Sequence, residues 1–138
     1  MHVYLDTSVV IRRLLRQKPA LDNWGKWQAA YTSELMHVEA MRCIERLRLQ
    51  GVLDDARYAL LARSVEDIRS CLYEVPLSQA IVERATQPFG VIVGTLDALH
   101  LATAILLREH TLSTLVFLTH DLQLATAATA LNFVVCGA

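Results

Sequence analysis

Cysteine is scarce in this chain and poorly placed for a framework. Only Cys43, Cys71 and Cys136 occur, an odd and widely spaced set with no C-x-x-C. That argues against a disulfide scaffold and a zinc site and points to a reducing compartment. Three prolines and five glycines exclude collagen-like and linker-rich chains. Aromatic residues make up 7%, so stacking of bases along a long groove is not expected. No sign of charge dominates: 13 Lys plus Arg stand against 14 Asp plus Glu, a net charge of −1. A basic coat over the whole surface is excluded, whereas a local basic rim is not. The longest apolar-looking run, Ala98 to Leu107, contains His100 and Thr103 and falls far short of the ~20 residues of a membrane span. Nothing repeats at a solenoid period. The start, Met-His-Val-Tyr-Leu-Asp, carries no basic leader region or cleavage site. The expectation is a soluble, cytoplasmic protein with no membrane contact.

What is present is core. With 138 residues and 54% hydrophobic composition, the chain can bury an interior without disulfides or a structural metal. It reads as one domain over 1–138, with no linker. Residues 2–5 form a short apolar strand that stops at Asp6. Thr7 and Ser8 then open a helix whose apolar positions run to Leu15 and which Pro19 breaks. A second helix is expected over 20–28 and a short strand over 30–32. Ser33 suits the N-cap of a long helix ending at Gly51. Asp54 and Asp55 start a helix that runs to about Ser70, followed by a strand over 73–75. Ser78 begins a short helix through Thr86, and 87–94 reads as a loop. Thr95 caps the most apolar helix, 96–109. A strand over 115–119, a helix over 122–131 and a strand over 133–136 close the chain. Short, continuously apolar strands alternating with helices indicate an α/β fold with a parallel sheet covered on both faces.

The acids carry the sharpest signal. Asp6 ends the first strand and Asp121 follows the fourth, and open parallel sheets bind ligands outside the carboxyl ends of their strands. An acid in such a place can equally cap the next helix. Glu39 lies on the long helix among Leu35, Met36 and Cys43 at i−4, i−3 and i+4, where a carboxylate is costly unless paired or metal-bound. A salt bridge to Arg42 or Arg46 is the plainer alternative. Asp97 sits in the first turn of the apolar helix, where it serves either the helix N-terminus or a buried site.

The segments Leu5-Asp6-Thr7-Ser8, Ser33-Glu34-Leu35 through Val38-Glu39, Thr95-Leu96-Asp97-Ala98-Leu99-His100-Leu101-Ala102-Thr103-Ala104, and Leu118-Thr119-His120-Asp121 through Ala130-Leu131 together resemble a PIN domain. They resemble most the VapC-type ribonuclease toxins of bacterial and archaeal toxin–antitoxin pairs. The likeness covers nearly the whole chain in order and spacing. It implies a three-layer α/β/α fold with a short parallel five-stranded sheet of order 3-2-1-4-5. It also implies a divalent-metal-dependent endoribonuclease, with Asp6, Glu39, Asp97 and Asp121 as catalytic and metal-binding acids around Mg²⁺ or Mn²⁺. Thr7 and Thr119 match hydroxyl positions lining that site. Cleavage leaving a 5′-phosphate and a 3′-hydroxyl, a homodimer and a cognate antitoxin are further implications. His120 departs from the pattern, since many relatives carry Tyr or another residue before the last aspartate.

Clustered carboxylates repel one another and raise each other's pKa values, and a hard divalent cation relieves that repulsion through oxygen ligands. RNA must then be held by cations outside the acidic pocket. Eleven of the 13 cations are Arg, a bias that suits bidentate phosphate contacts and that a GC-rich genome would also produce. Arg12 and Arg16 share a helix face, as do Arg42 and Arg46. Arg12, Arg16 and Arg42 are therefore candidate phosphate contacts, or else plain surface. His100, three residues after Asp97, reads as a packed, hydrogen-bonded helix histidine rather than a ligand. Trp24 and Trp27 read as core or as a partner surface. No nucleophile elbow, Walker loop or G-x-G-x-x-G is present. Two other classes stay open. One is a non-catalytic RNA- or partner-binding module on the same fold. The other is a phosphoacceptor, for which Asp6-Thr7-Ser8 lacks the second aspartate of a D-x-D pair.

Overall fold

β1 (His2–Leu5) alternates its side chains between two interiors, and that alternation organises the molecule. In the computed structural model, which describes residues 1–111 and 114–138, Val3 and Leu5 face one buried cluster while Tyr4 faces another. The chain continues through α1 (Thr7–Leu14), β2 (Ala29–Ser33), α2 (Leu35–Leu49), α3 (Asp55–Ser70), β3 (Tyr73–Val75) and α4 (Gln79–Thr86). It ends with α5 (Thr95–Thr111), β4 (Leu115–Leu118), α6 (Leu122–Ala130) and β5 (Val134–Cys136). All strand pairings are parallel and the sheet order is β3-β2-β1-β4-β5. This is the α/β architecture, in that strand order, implied by the resemblance.

Helices cover both faces, as continuously apolar parallel strands require. On one side Val9, Val10 and Leu14 of α1, Met36 and Ala40 of α2 and Val65 of α3 pack on Val3, Leu5, Val116 and Leu118. On the other, Leu101, Ala104 and Ile105 of α5 and Leu124, Ala127 and Ala128 of α6 pack on Tyr4, Leu115 and Phe117. Tyr4 stacks on Phe117 with ring centroids 5.2 Å apart. No helix among the described residues is long and apolar enough to cross a membrane.

Several boundaries differ from expectation. The helix expected over 20–28 is absent: the segment forms turns, and its Leu21, Trp24 and Trp27 pack against the α1–α3 side of the core. Trp24 also lies under the Arg13 guanidinium, 5.4 Å from the ring centroid. Helix α1 ends at Leu14 rather than at Pro19, because Arg16 adopts φ 52° and turns the chain. Ser33 ends β2, and its hydroxyl accepts the Leu35 N–H at 3.1 Å while Glu34 takes the N-cap position. Thr95 is the first residue of α5 instead of its cap, and Phe133 precedes β5.

Candidate active site

The chain runs from β1 to β2 and β3 on one side of the sheet, then returns to β4 and β5 on the other. Strand order therefore reverses between β1 and β4, the place where open α/β sheets bind ligands. Asp6 leaves β1 there, and its N–H donates to the Leu118 carbonyl at the end of β4, 3.0 Å away. Thr119 and Asp121 follow directly.

Cap and site acid are compatible roles for Asp6 and Asp121, because capping occupies one carboxylate oxygen of each. Asp6 caps α1 with Oδ2, which accepts from the Ser8 N–H (3.2 Å), the Ser8 hydroxyl (2.5 Å) and the Thr119 hydroxyl (3.0 Å). Its Oδ1 accepts no hydrogen bond among the described residues and lies 3.7 Å from His100 Nε2. Asp121 caps α6 with Oδ1, which accepts the Leu124 N–H at 2.9 Å, and its Oδ2 is unbonded among the described residues. Thr119 also accepts the Asp121 N–H at 3.0 Å. One fully buried hydroxyl thus locks the two aspartates together.

Glu39 is held from α1 and α5 rather than by its own helix. Its Oε1 accepts from the Thr7 hydroxyl at 2.8 Å and from His100 Nε2 at 2.7 Å, which leaves Oε2 without a partner among the described residues. The expected alternative, a bond to Arg42 or Arg46, is not formed; Arg42 pairs with Glu45 at 2.7 Å on the exposed side of α2. Asp97, in the first turn of α5, has no hydrogen bond on either oxygen among the described residues.

Electrostatics tie the four acids together. The Asp97 carboxyl is pushed up by burial, then by the charges of Asp6 and Asp121, with Glu39 adding to the rise and His100 opposing it. Burial works to raise Glu39 as well, but the His100 hydrogen bond and charge and the Thr7 hydroxyl hold it below the usual carboxylate range. Burial works to lower His100, and the Glu39 hydrogen bond with the charges of Asp6, Glu39 and Asp97 raises it overall. The pocket thus carries negative charge that one histidine only partly offsets. Its free donors are carboxylate oxygens, the hard set that a Mg²⁺- or Mn²⁺-like cation takes. By this donor chemistry the residues fit such an ion, although no group of three or more His, Cys, Asp or Glu among the described residues is already arranged to hold one.

The remaining candidates fall in two places. Arg12 and Arg16 line a cleft of about 690 Å³ between α1, the 16–24 segment and α3, with Arg13, Lys18 and Arg57. His120, beside Asp121, lines the same cleft. Arg42 lies elsewhere, on α2. Three side chains stand closer to the acids than the sequence suggested. Ser8 bridges Asp6, Thr119 and the His120 N–H, and the Ser that follows Asp6-Thr7 was a signal for it. His100 is the packed, bonded histidine expected, but one of its bonds goes to Glu39. Tyr4 hydrogen-bonds His100 Nδ1 at 2.7 Å, and its even spacing from Asp6 on β1 was the only hint.

The PIN domain family model matches residues 3–129. The chain belongs to the PIN domain family. Within that frame it is similar to Ribonuclease VapC47 of Mycobacterium tuberculosis (strain CDC 1551 / Oshkosh), 27% identical over 139 residues that span 96% of this chain and 93% of that protein. Two solved structures share its fold. One is VapBC2 from Rickettsia felis bound to a DNA fragment from its promoter, with TM-score 0.67, 16% identity and coverage of 99% and 98% of the two chains. The other is a toxin–antitoxin complex from Klebsiella pneumoniae, with TM-score 0.63, 20% identity and 86% coverage of each chain.

Proposed function

We propose that this PIN protein is a divalent-metal-dependent endoribonuclease acting as the toxin of a toxin–antitoxin pair. The observation that carries the reading is the division of labour among the acids. Among the described residues, Asp6, Glu39 and Asp121 each spend one oxygen on hydrogen bonds that fix the side chain and keep the other unbonded, while Asp97 keeps both unbonded. Among the described residues none of these oxygens is a buried atom without a partner, and Asp121 is itself exposed, so all of them stay open to an ion arriving from solvent. The similarity to a protein named as a ribonuclease and the shared fold with toxin–antitoxin complexes support the same conclusion.

Asp6, Glu39, Asp97 and Asp121 would hold Mg²⁺ or Mn²⁺ through those unbonded oxygens. A cation there supplies an acidified water and offsets charge building on the phosphate and the leaving oxygen. The chain's own groups set the geometry. Thr7 and Thr119 clamp Glu39 and Asp6, so the acids need little reorganisation when substrate arrives. Arg12 and Arg16 would take phosphates flanking the cut, and Arg42 would enter with its charge already shared with Glu45. The other chain of the pair would be an antitoxin protein, and a homodimer is the proposed assembly.

Cleavage of RNA by the purified chain with Mn²⁺ or Mg²⁺, abolished by EDTA and by Asp6→Asn, is the expected result. Cleavage that persists in both controls refutes the mechanism. Binding of RNA without cleavage under any metal would favour the non-catalytic module instead. Growth arrest on expression, relieved by Asp6→Asn, checks the toxin role separately.

A further inference from the structure

Beneath the four acids lies a second layer of polar side chains that, Thr7 apart, the proposed chemistry does not use. β1 places Tyr4 two residues before Asp6, on the same face of the strand. α5 places His100 three residues after Asp97, one turn further along the same helix face. Tyr4 and His100 are both 0% exposed, and Thr7 is 3% exposed. They form one chain of contacts: the Tyr4 hydroxyl meets His100 Nδ1 at 2.7 Å, and His100 Nε2 meets Glu39 Oε1 at 2.7 Å and the Thr7 hydroxyl at 3.3 Å. A carboxylate only accepts, so Nε2 carries the hydrogen and donates it to Glu39.

We infer that His100, held from behind by Tyr4, is a positioning residue that fixes the Glu39 carboxylate by Oε1 so that Oε2 alone is offered to a bound cation. This rests on the divalent-cation reading above. The geometry explains why a histidine occupies the middle of an otherwise apolar helix. A leucine of similar bulk would fill the space between β1 and α5, but it would leave the buried Tyr4 hydroxyl without its His100 partner, which costs stability. What leucine lacks is a donor for Oε1. Glu39 would then keep only the Thr7 hydroxyl and could rotate about its terminal torsion, which is broad and roughly two-fold. Groups that orient a ligating side chain typically contribute a factor of about 10–100 to metal affinity.

The test is Mn²⁺ binding to the full chain, read from the electron paramagnetic resonance of free Mn²⁺, with folding checked by circular dichroism. His100→Leu is expected to weaken Mn²⁺ binding about tenfold or more. His100→Gln, whose side-chain amide can donate from near the Nε2 position, should recover most of that loss. Tyr4→Phe, which keeps the ring and removes the hydroxyl, should weaken binding in the same direction by less. In a Glu39→Gln background, His100→Leu should add nothing further. Unchanged affinity in folded His100→Leu overturns the inference, and so does an undiminished loss in the Glu39→Gln background. Should His100→Leu fail to fold, Tyr4→Phe and His100→Gln decide: wild-type affinity in Tyr4→Phe, or no recovery of function in His100→Gln, removes the positioning role. Failure of the wild-type chain to bind Mn²⁺ is a different outcome, and it overturns the divalent-cation reading itself.

Discussion

Asp97 shows how one side chain can cost stability where it stands among other acids. It accepts no hydrogen bond among the described residues, and burial together with Asp6 and Asp121 raises its pKa. An acid with a raised folded-state pKa binds its proton more tightly when folded than when unfolded. Its contribution to stability is therefore fully present below the ordinary aspartate value of about 3.9 and is lost as pH rises through the elevated folded value. Asp97→Asn removes the repulsion, so it should melt at a higher temperature than the wild type at pH 7.5 in EDTA. The gap should close near pH 4, and the variant should lose Mn²⁺-dependent cleavage. Thermal melts at the two pH values check the first part, and a lower melting temperature for Asp97→Asn at pH 7.5 would contradict it. Asp121 offers a complementary comparison. Asp121→Asn keeps an oxygen for the Leu124 N–H, whereas Asp121→Ala loses the cap and should cost about 1 kcal/mol more in urea unfolding. Both should abolish cleavage, which would separate the two oxygens' duties. Much of this was legible from sequence: the types and order of the four acids pointed to one pocket. The fixing of Asp6, Glu39 and Asp121 through one oxygen each was not, because which oxygen bonds to which group depends on Thr7, Ser8 and Thr119, whose rotamers no spacing reveals.

At the scale of elements, the edge strand β3 depends on a contact from α3. The strand is only three residues long and pairs on one side with β2, and Arg69 near the end of α3 reaches across to grip Glu74 with two bonds of 2.8 and 2.9 Å. The Arg69 hydrogen bonds hold Glu74 below the usual glutamate range despite its partial burial. A depressed carboxylate contributes stability above its unfolded value of about 4.3 that is lost as pH falls through the folded value. Glu74→Gln should therefore destabilise the chain by on the order of 1 kcal/mol at pH 7, and by progressively less in acid. Urea titrations at pH 7 and pH 3 measure the difference; an equal loss at both would show that packing, not charge, holds the strand. The neighbouring elements also mark where sequence reasoning succeeds. α3, α4 and α6 begin beside Asp54, Ser78 and Asp121, each of which caps through its side chain, and such local chemistry is readable directly. The 20–28 segment forms turns instead of the expected helix, although Leu21, Trp24 and Trp27 stand three residues apart. Their apolar faces are satisfied by α1 and α3 instead, a tertiary preference that local periodicity does not contain.

For the whole molecule, a net charge of −1 conceals a strong separation of sign. The negative pocket sits at the β1–β4 crevice. The cleft beside it is rimmed by Arg12, Arg13, Arg16, Lys18 and Arg57, none of which forms an ion pair among the described residues. Arg42, by contrast, is already paired with Glu45. The parallel topology explains the proximity of the two regions: α1 begins at Asp6, so the helix that starts in the acidic pocket carries Arg12 and Arg13 along its last turn, with Arg16 just beyond. A polyanion lying in the cleft would meet unpaired cations first and acids next, which suits a strand delivered to a cutting site. RNA binding by the cleavage-deficient Asp6→Asn chain should then weaken steeply with salt. Each phosphate contact removed should reduce the slope of log affinity against log salt by about 0.7. Arg12→Ala and Arg16→Ala should each show that reduction, and Arg42→Ala should show less, because the charge it gives up is partly neutralised by Glu45. Fluorescence anisotropy with labelled single-stranded RNA across a salt series measures all three. If Arg42→Ala changed the slope as much as Arg16→Ala, the strand would have to cross α2 rather than follow α1. The path of the substrate over the molecule would then run along the opposite flank of the same acids.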